Sequence, residues 1–242
     1  MTHYVCTGGC GGVAETPMSC QMVSCPKHQE PLIECACEDG KHELIINKNP
    51  LLIMLIGLPG TGKSTLAREI SSSLGYMHLD QNEIRRQQGM KKMPQTQEET
   101  LRKIDRIVAN NLSKRKGILV DSVHRYMFRR QQLYGIASGL GNNVLVIECV
   151  CSPDEAKRRM SQRPKSDGLI SDPNNPKVYE KLAGLWEDVM QNDFKYPGSD
   201  HVSYITYNTE TKEIQVKFAP NGYELFMNNI KNILQNVGPD IK

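Results

Sequence analysis

The rhythm of apolar and polar positions changes near residue 50. Up to about residue 42 the chain shows neither the alternation of a strand nor the three-to-four-residue return of a helix. From Pro50 onward short apolar runs alternate with amphipathic stretches. "LLIMLIG" predicts a buried strand, "GKSTLAREISSSLG" a helix ending at Gly75, and "YMHLD" a short second strand. Leu101, Ile104, Ile107, Val108 and Leu112 mark one face of a helix. "GILVDSV" is a third strand, with a helix after it carrying Leu133, Ile136, Ala137 and Leu140. "NVLVIECV" is a fourth strand, and Pro153 opens a helix through about Arg163. Val178, Leu182, Leu185 and Val189 stripe a further helix, "VSYITYN" is a fifth strand, and "GYELFMNNIKNILQNV" a closing helix. Strands alternating with helices imply an α/β fold, a parallel five-stranded sheet covered by helices on both faces.

Composition adds a second part. The chain of 242 residues has room for one α/β domain and a small appendage. Six of its eight cysteines precede residue 38. This divides it into a Cys/His-rich module at 1–45 and an α/β domain at 46–242. A net charge of +3 points neither to nucleic acid nor to an acidic membrane surface. No apolar run is long enough to span a bilayer, and no secretory leader is visible, so the expectation is a cytoplasmic protein without a membrane partner. Cys149 and Cys151 lie in the fourth apolar run and read as small hydrophobes.

Gly57, Gly62, Lys63 and Ser64 satisfy the phosphate-loop pattern G-x-x-x-x-G-K-[ST]. Glycines let backbone N–H groups converge on a phosphate, and the following helix aims its positive end there. Gly57, Pro59, Gly60, Thr61, Gly62, Lys63, Ser64 and Thr65 are therefore the candidate ATP or GTP site. Lys63, expected to face solvent until phosphate arrives, would neutralise the β- and γ-phosphates, and Ser64 would offer its hydroxyl to Mg²⁺. A chance match is the alternative, but the strand before and the helix after are also present.

Three further stretches, "LDQNEIRR", "ILVDSVHRYMFRRQQL" and "CSPDEAKRRMSQRPKSDGLISDPNNPKVYEKL", follow in the order found in small P-loop kinases. With the phosphate loop, they make the chain resemble the group that includes polynucleotide 5′-hydroxyl kinases, zeta toxins, shikimate kinase and gluconate kinase. The resemblance implies phosphoryl transfer from ATP to a hydroxyl, with a D-x-D element, a Walker B acid and lid arginines. Asp80 would take the first acidic position, where it could order a metal-bound water or accept the acceptor's proton; otherwise it merely caps a helix. The second acid is replaced by Asn82, which cannot act as a base, and neighbouring Glu83 should point elsewhere. Asp121 fits the Walker B acid, with an idle strand-end acid as the alternative. His124 stands where relatives often carry Asn, and a lone surface His is more often inert. Arg159 and Arg163 share a helix face and could cover the γ-phosphate as lid arginines, or simply form a solvated basic face. Arg85, Arg125, Arg129 and Arg130 could contact an anionic acceptor.

Cys6, Cys10, Cys20, Cys25, Cys35 and Cys37, with His28 and His42, offer soft ligands suited to tetrahedral Zn²⁺. Eight ligands would fill two closed sites, though one site with spare thiols is also open; disulfides or a redox cluster are the alternatives. The module would be structural or a docking surface for a protein partner. The whole reads as a Mg²⁺-dependent phosphotransferase acting on a small-molecule or nucleic-acid hydroxyl, with Lys63, Asp80, Asp121, Arg159 and Arg163 as its catalytic set. The rival is a switch ATPase in which hydrolysis alone alters binding to a partner.

Overall fold

The computed structural model describes residues 2–6, 10, 12–23, 25, 27–35, 51–88, 94–163, 175–195, 201–219 and 230–235. At the amino terminus β1 (His3–Val5), β2 (Val13–Ala14) and β3 (Ile33–Cys35) form an antiparallel sheet in the order β2-β1-β3. The sequence rhythm misses it because strands of two or three residues are too short to display a period.

The second sheet has six strands. They are β4 (Leu51–Ile56), β5 (Met77–Asp80), β6 (Ile118–Asp121), β7 (Asn143–Val150), β8 (Val202–Asn208) and β9 (Ile214–Phe218), ordered β5-β6-β4-β7-β8-β9. The first five in that order run parallel, as expected; β9 pairs antiparallel with β8 and corrects the expected count. It lies at the edge, largely exposed, so its sequence carries no buried run. Helices α1 (Lys63–Leu74), α2 (Gln81–Gln87), α3 (Pro94–Ser113), α4 (Met127–Gly139), α5 (Pro153–Ser161), α6 (Pro176–Ala183) and α7 (Val189–Asn192) join the strands.

β4 explains the layering. Alternate side chains point to opposite faces: Leu52, Met54 and Ile56 join one core with Ile104, Val108 and Leu112 of α3 and Leu133 and Ala137 of α4. Ile53 and Leu55 join the other with Leu66 and Ile70 of α1 and with Ile230 and Leu234. Burying each such side chain contributes roughly 1.5–3 kcal/mol, which favours a central strand apolar on both faces. α1 stops where expected, at Gly75, whose φ of 65° is left-handed and whose N–H caps the Ser71 and Ser72 carbonyls.

The stripe from Val178 to Val189 is not one helix. α6 ends at Ala183, Leu185 is exposed, and Val189 begins the separate α7. α5 likewise ends at Ser161, two residues before Arg163. Of the expected closing helix, 230–235 are described and helical. No described helix is long and apolar enough to cross a membrane.

Candidate functional site

β4 runs directly into the phosphate loop. Gly57, Gly60 and Gly62 have φ of 135°, 84° and 85°. A Cβ at Gly57 would lie 2.4 Å from the Cys149 carbonyl oxygen, and one at Gly60 2.3 Å from that of Ala156. The loop is thus clamped between β7 and α5 and tolerates glycine alone at these points. Its first helical residue, Lys63, is buried rather than solvent-facing. Its Nζ donates to the Leu58 carbonyl at 2.7 Å. Thr61 Oγ1 donates to the same carbonyl at 2.8 Å. Burial pushes the Lys63 pKa down, Asp121 opposes that shift, and Arg163 adds to it. An ammonium held this way gains by meeting a phosphate.

Two acids close the opposite side. Asp80 ends β5, Asp121 ends β6, and strand register sets them directly beside each other. Burial alone would raise the Asp121 pKa, but His78, Lys63 and the Ser64 hydroxyl outweigh it and hold the carboxylate ionised. Its Oδ2 is buried without a hydrogen-bond partner among the described residues; His78 Nε2 lies 3.6 Å away, beyond good hydrogen-bond reach. An unsatisfied carboxylate oxygen beside a hydroxyl fits a hard dication that prefers oxygen, so Asp121 and Ser64 suit Mg²⁺. Asp80 is shifted the other way: burial and then the Asp121 charge raise its pKa. One carboxylate held ionised and a neighbour made more basic is the division that acid–base chemistry uses. Asp80 also caps α2, its Oδ1 accepting from Asn82 N–H at 2.7 Å. Glu83 turns away, as expected, to pair with Arg86 at 2.8 Å.

The arginines separate into structural and available ones. Arg130 is fully buried, gripping Asp193 at 2.7 and 2.6 Å and donating to the carbonyls of His124 and Glu187. Arg129 is buried against Asp105 at 2.7 Å. These contacts correct the expectation that either meets an acceptor. Arg85 and Arg125, by contrast, have no acidic partner among the described residues. Burial and then Arg125 lower the Arg85 pKa. Arg125 rests 4.3 Å over the Tyr126 ring, and its buried Nε has no hydrogen-bond partner among the described residues.

His124 is not a surface residue. It is buried at a φ of 47°, and neither ring nitrogen has a hydrogen-bond partner among the described residues. Burial, then Arg129 and Arg130, push its pKa down to about 3, so the ring is neutral.

Of the expected lid pair, Arg159 is held by neighbours within the chain. Arg159 binds Glu155 at 2.6 Å and Thr209 Oγ1 at 2.8 Å. Thr209 in turn packs against Gly62, where a Cβ would sit 3.3 Å from it. The charge of Arg163 lowers the Lys63 pKa. His78 and Thr209 are the participants that the sequence reading missed. His78 carried a usable signal, a polar side chain two residues before Asp80 on the same strand face.

Among the expected soft ligands, Cys6, Cys10, Cys20 and Cys25 come together, their sulfurs within 4.8 Å of one another. His28 and Cys35 are described but are not part of that group. Cys37 and His42 lie outside the described residues.

These features define a P-loop kinase-like α/β protein. The profile of the family described as "AAA domain" matches residues 52–180, more than half of the chain, and the chain belongs to that family. No curated protein matches it in sequence. A candidate kinase from Chloroflexus aurantiacus j-10-fl superposes with a TM-score of 0.52 at 18% identity, covering 78% of this chain and 99% of that one. A chain of the Pnkp1/Rnl/Hen1 RNA repair complex gives 0.51 at 18% identity, covering 62% and 47%. A gluconokinase from Sinorhizobium meliloti 1021 gives 0.44 at 15% identity, covering 78% and 91%. The first two of these likenesses support the fold and leave the acceptor open.

Proposed function

We propose that the chain is an ATP-dependent phosphotransferase acting on a hydroxyl of a small molecule or nucleic-acid end. The observation that carries this reading is the juxtaposition of Asp80 and Asp121, with opposite pKa shifts, across from Lys63. A carboxylate so placed can take the proton of an attacking hydroxyl, and the dependence of turnover on an added acceptor separates that from activation of water.

The loop amides and Lys63 hold the β- and γ-phosphates, and Arg163 adds positive charge near Lys63. Ser64 and Asp121 would hold Mg²⁺, which when bound would neutralise phosphate charge. Asp80 takes the proton of the acceptor hydroxyl as its oxygen forms a bond to the γ-phosphorus. The bond from that phosphorus to the β–γ bridging oxygen breaks, and ADP leaves with the electron pair. Arg159 braces Thr209 against the loop rather than contacting phosphate. Arg85 and Arg125, near each other and unneutralised, favour an acceptor that carries an anionic group such as a phosphate or carboxylate.

The test is to measure ADP release with and without a panel of hydroxyl compounds and 5′-hydroxyl oligonucleotides. Release that depends on an acceptor supports transfer. Release indifferent to every acceptor would replace this reading with a nucleotide switch.

A further inference from the structure

The cysteines outside the transfer site form a built arrangement of their own. Cys6 follows β1, Cys10 precedes β2 in the chain, and Cys6 N–H donates to Gly12 O at 2.8 Å. Cys20 and Cys25 come from a second loop, pinned by Cys20 N–H to Glu30 O at 2.9 Å and by Cys25 N–H to Met22 O at 2.9 Å. Each loop supplies two sulfurs, and the four meet face to face. Cys6 and Cys25 are 3.6 Å apart, and Cys10 and Cys20 3.5 Å.

These spacings discriminate between chemistries. None of the four is in a disulfide among the described residues, and a disulfide needs an S–S distance of about 2 Å. Four sulfurs around one zinc, each about 2.3 Å from it, are about 3.8 Å from one another. The observed pairs lie close to the second value and far from the first. The surroundings argue in the same direction. Cys6, Cys20 and Cys25 are the buried members of this cluster, with Cys10 and Leu32 packed on it. Met18, Met22, Val23 and Ile33 are exposed, so apolar burial contributes little to this segment's order. Lys27 N–H points at Cys25 Sγ from 3.4 Å, as an amide does when it supports a thiolate ligand.

We infer that Cys6, Cys10, Cys20 and Cys25 hold one zinc ion in a closed tetrathiolate site that orders the amino-terminal segment. Four protein sulfurs complete the tetrahedron and leave no position for water, so the site is structural. Cys35, on β3 opposite His3, and His28 are not ligands. Of the eight possible ligands in the sequence, four make one site. The inference is independent of the transferase reading.

The full chain, purified under reducing conditions, should contain about one zinc per chain by elemental analysis. Cys20→Ser and Cys25→Ser should lose it, while Cys35→Ser should retain it. Should the ligand variants fail to fold, cobalt exchange into the unmodified chain decides the matter. The expected result is the intense visible absorption of tetrahedral cobalt thiolate together with sulfur-to-metal charge transfer. Metal-free protein with four titratable thiols, iron in place of zinc, or Cys35→Ser losing metal as fully as Cys25→Ser would each overturn the inference.

Discussion

The amino-terminal cysteine segment and the P-loop domain are ordered by different means. In the P-loop domain, Leu52 to Ile56 are entirely buried, with helices packed on both faces of the sheet. In the first 35 residues the buried cluster is made of sulfur, while most larger apolar side chains face solvent. The P-loop domain has a hydrophobic core of its own. The cysteine segment, on the inference above, is ordered by the metal its thiols would hold. A perturbation should therefore damage one region and spare the other, and that contrast can be tested from both sides.

The largest effect is expected on transfer alone. Lys63→Ala removes the charge that meets the phosphates and should lower turnover about a thousandfold or more. The zinc content and the cooperative unfolding transition should stay as they were. Activity assays beside elemental analysis check this; preserved turnover would remove the phosphate-loop assignment. Asp80→Asn should follow, with a loss of roughly two to four orders of magnitude in acceptor-dependent turnover. ATP affinity should change far less, and Asn can still cap α2. Asn82→Asp should restore little, because Asp80 already occupies the position beside Asp121.

Stability tests sharpen the same contrast. Arg130→Met leaves Asp193 buried and uncompensated, which should destabilise the P-loop domain by about 3–5 kcal/mol in denaturant unfolding. Zinc bound to the four thiols should be retained at denaturant concentrations below that transition. The reverse experiment is chelation. Removing metal should abolish amide protection in the first 35 residues and leave ATP binding intact. Equal loss of both would show that the two regions fold as one unit.

The smallest effect concerns pH. The folded pKa of Asp80 is raised, so the folded state holds this proton more tightly than the unfolded chain. Its contribution favours folding below the ordinary carboxylate pKa and is lost as pH rises through the raised value. Asp80→Asn should flatten that part of the stability profile.

Sequence rhythm revealed most of the fold because most of the fold is made of buried runs. A strand covered on both faces, such as β4, can hardly be written without consecutive aliphatic residues. β9 escaped because an edge strand with one shallow face needs no such run, and β1 to β3 escaped because they are too short. The site was legible where chemistry demands a fixed local string, as at Gly57 to Thr65. It was less legible where partners come from distant segments. Arg129 and Arg130 stand beside Arg125 in the sequence, yet one turn of α4 carries them inward to Asp105 and Asp193. Nothing local distinguishes them. Thr209 becomes Arg159's partner only because β8 lies next to β7 in the sheet. The cysteines showed a ligand set without its pairing, since loop closure decides which four meet.

The fate of the γ-phosphate tests the central claim most directly. With ATP, Mg²⁺ and an acceptor that stimulates ADP release, phosphorus NMR should show a new phosphate ester growing in step with ADP. Little inorganic phosphate should accumulate, and Asp80→Asn should suppress the ester signal. Inorganic phosphate as the sole product, at a rate unaffected by Asp80→Asn, would contradict the account.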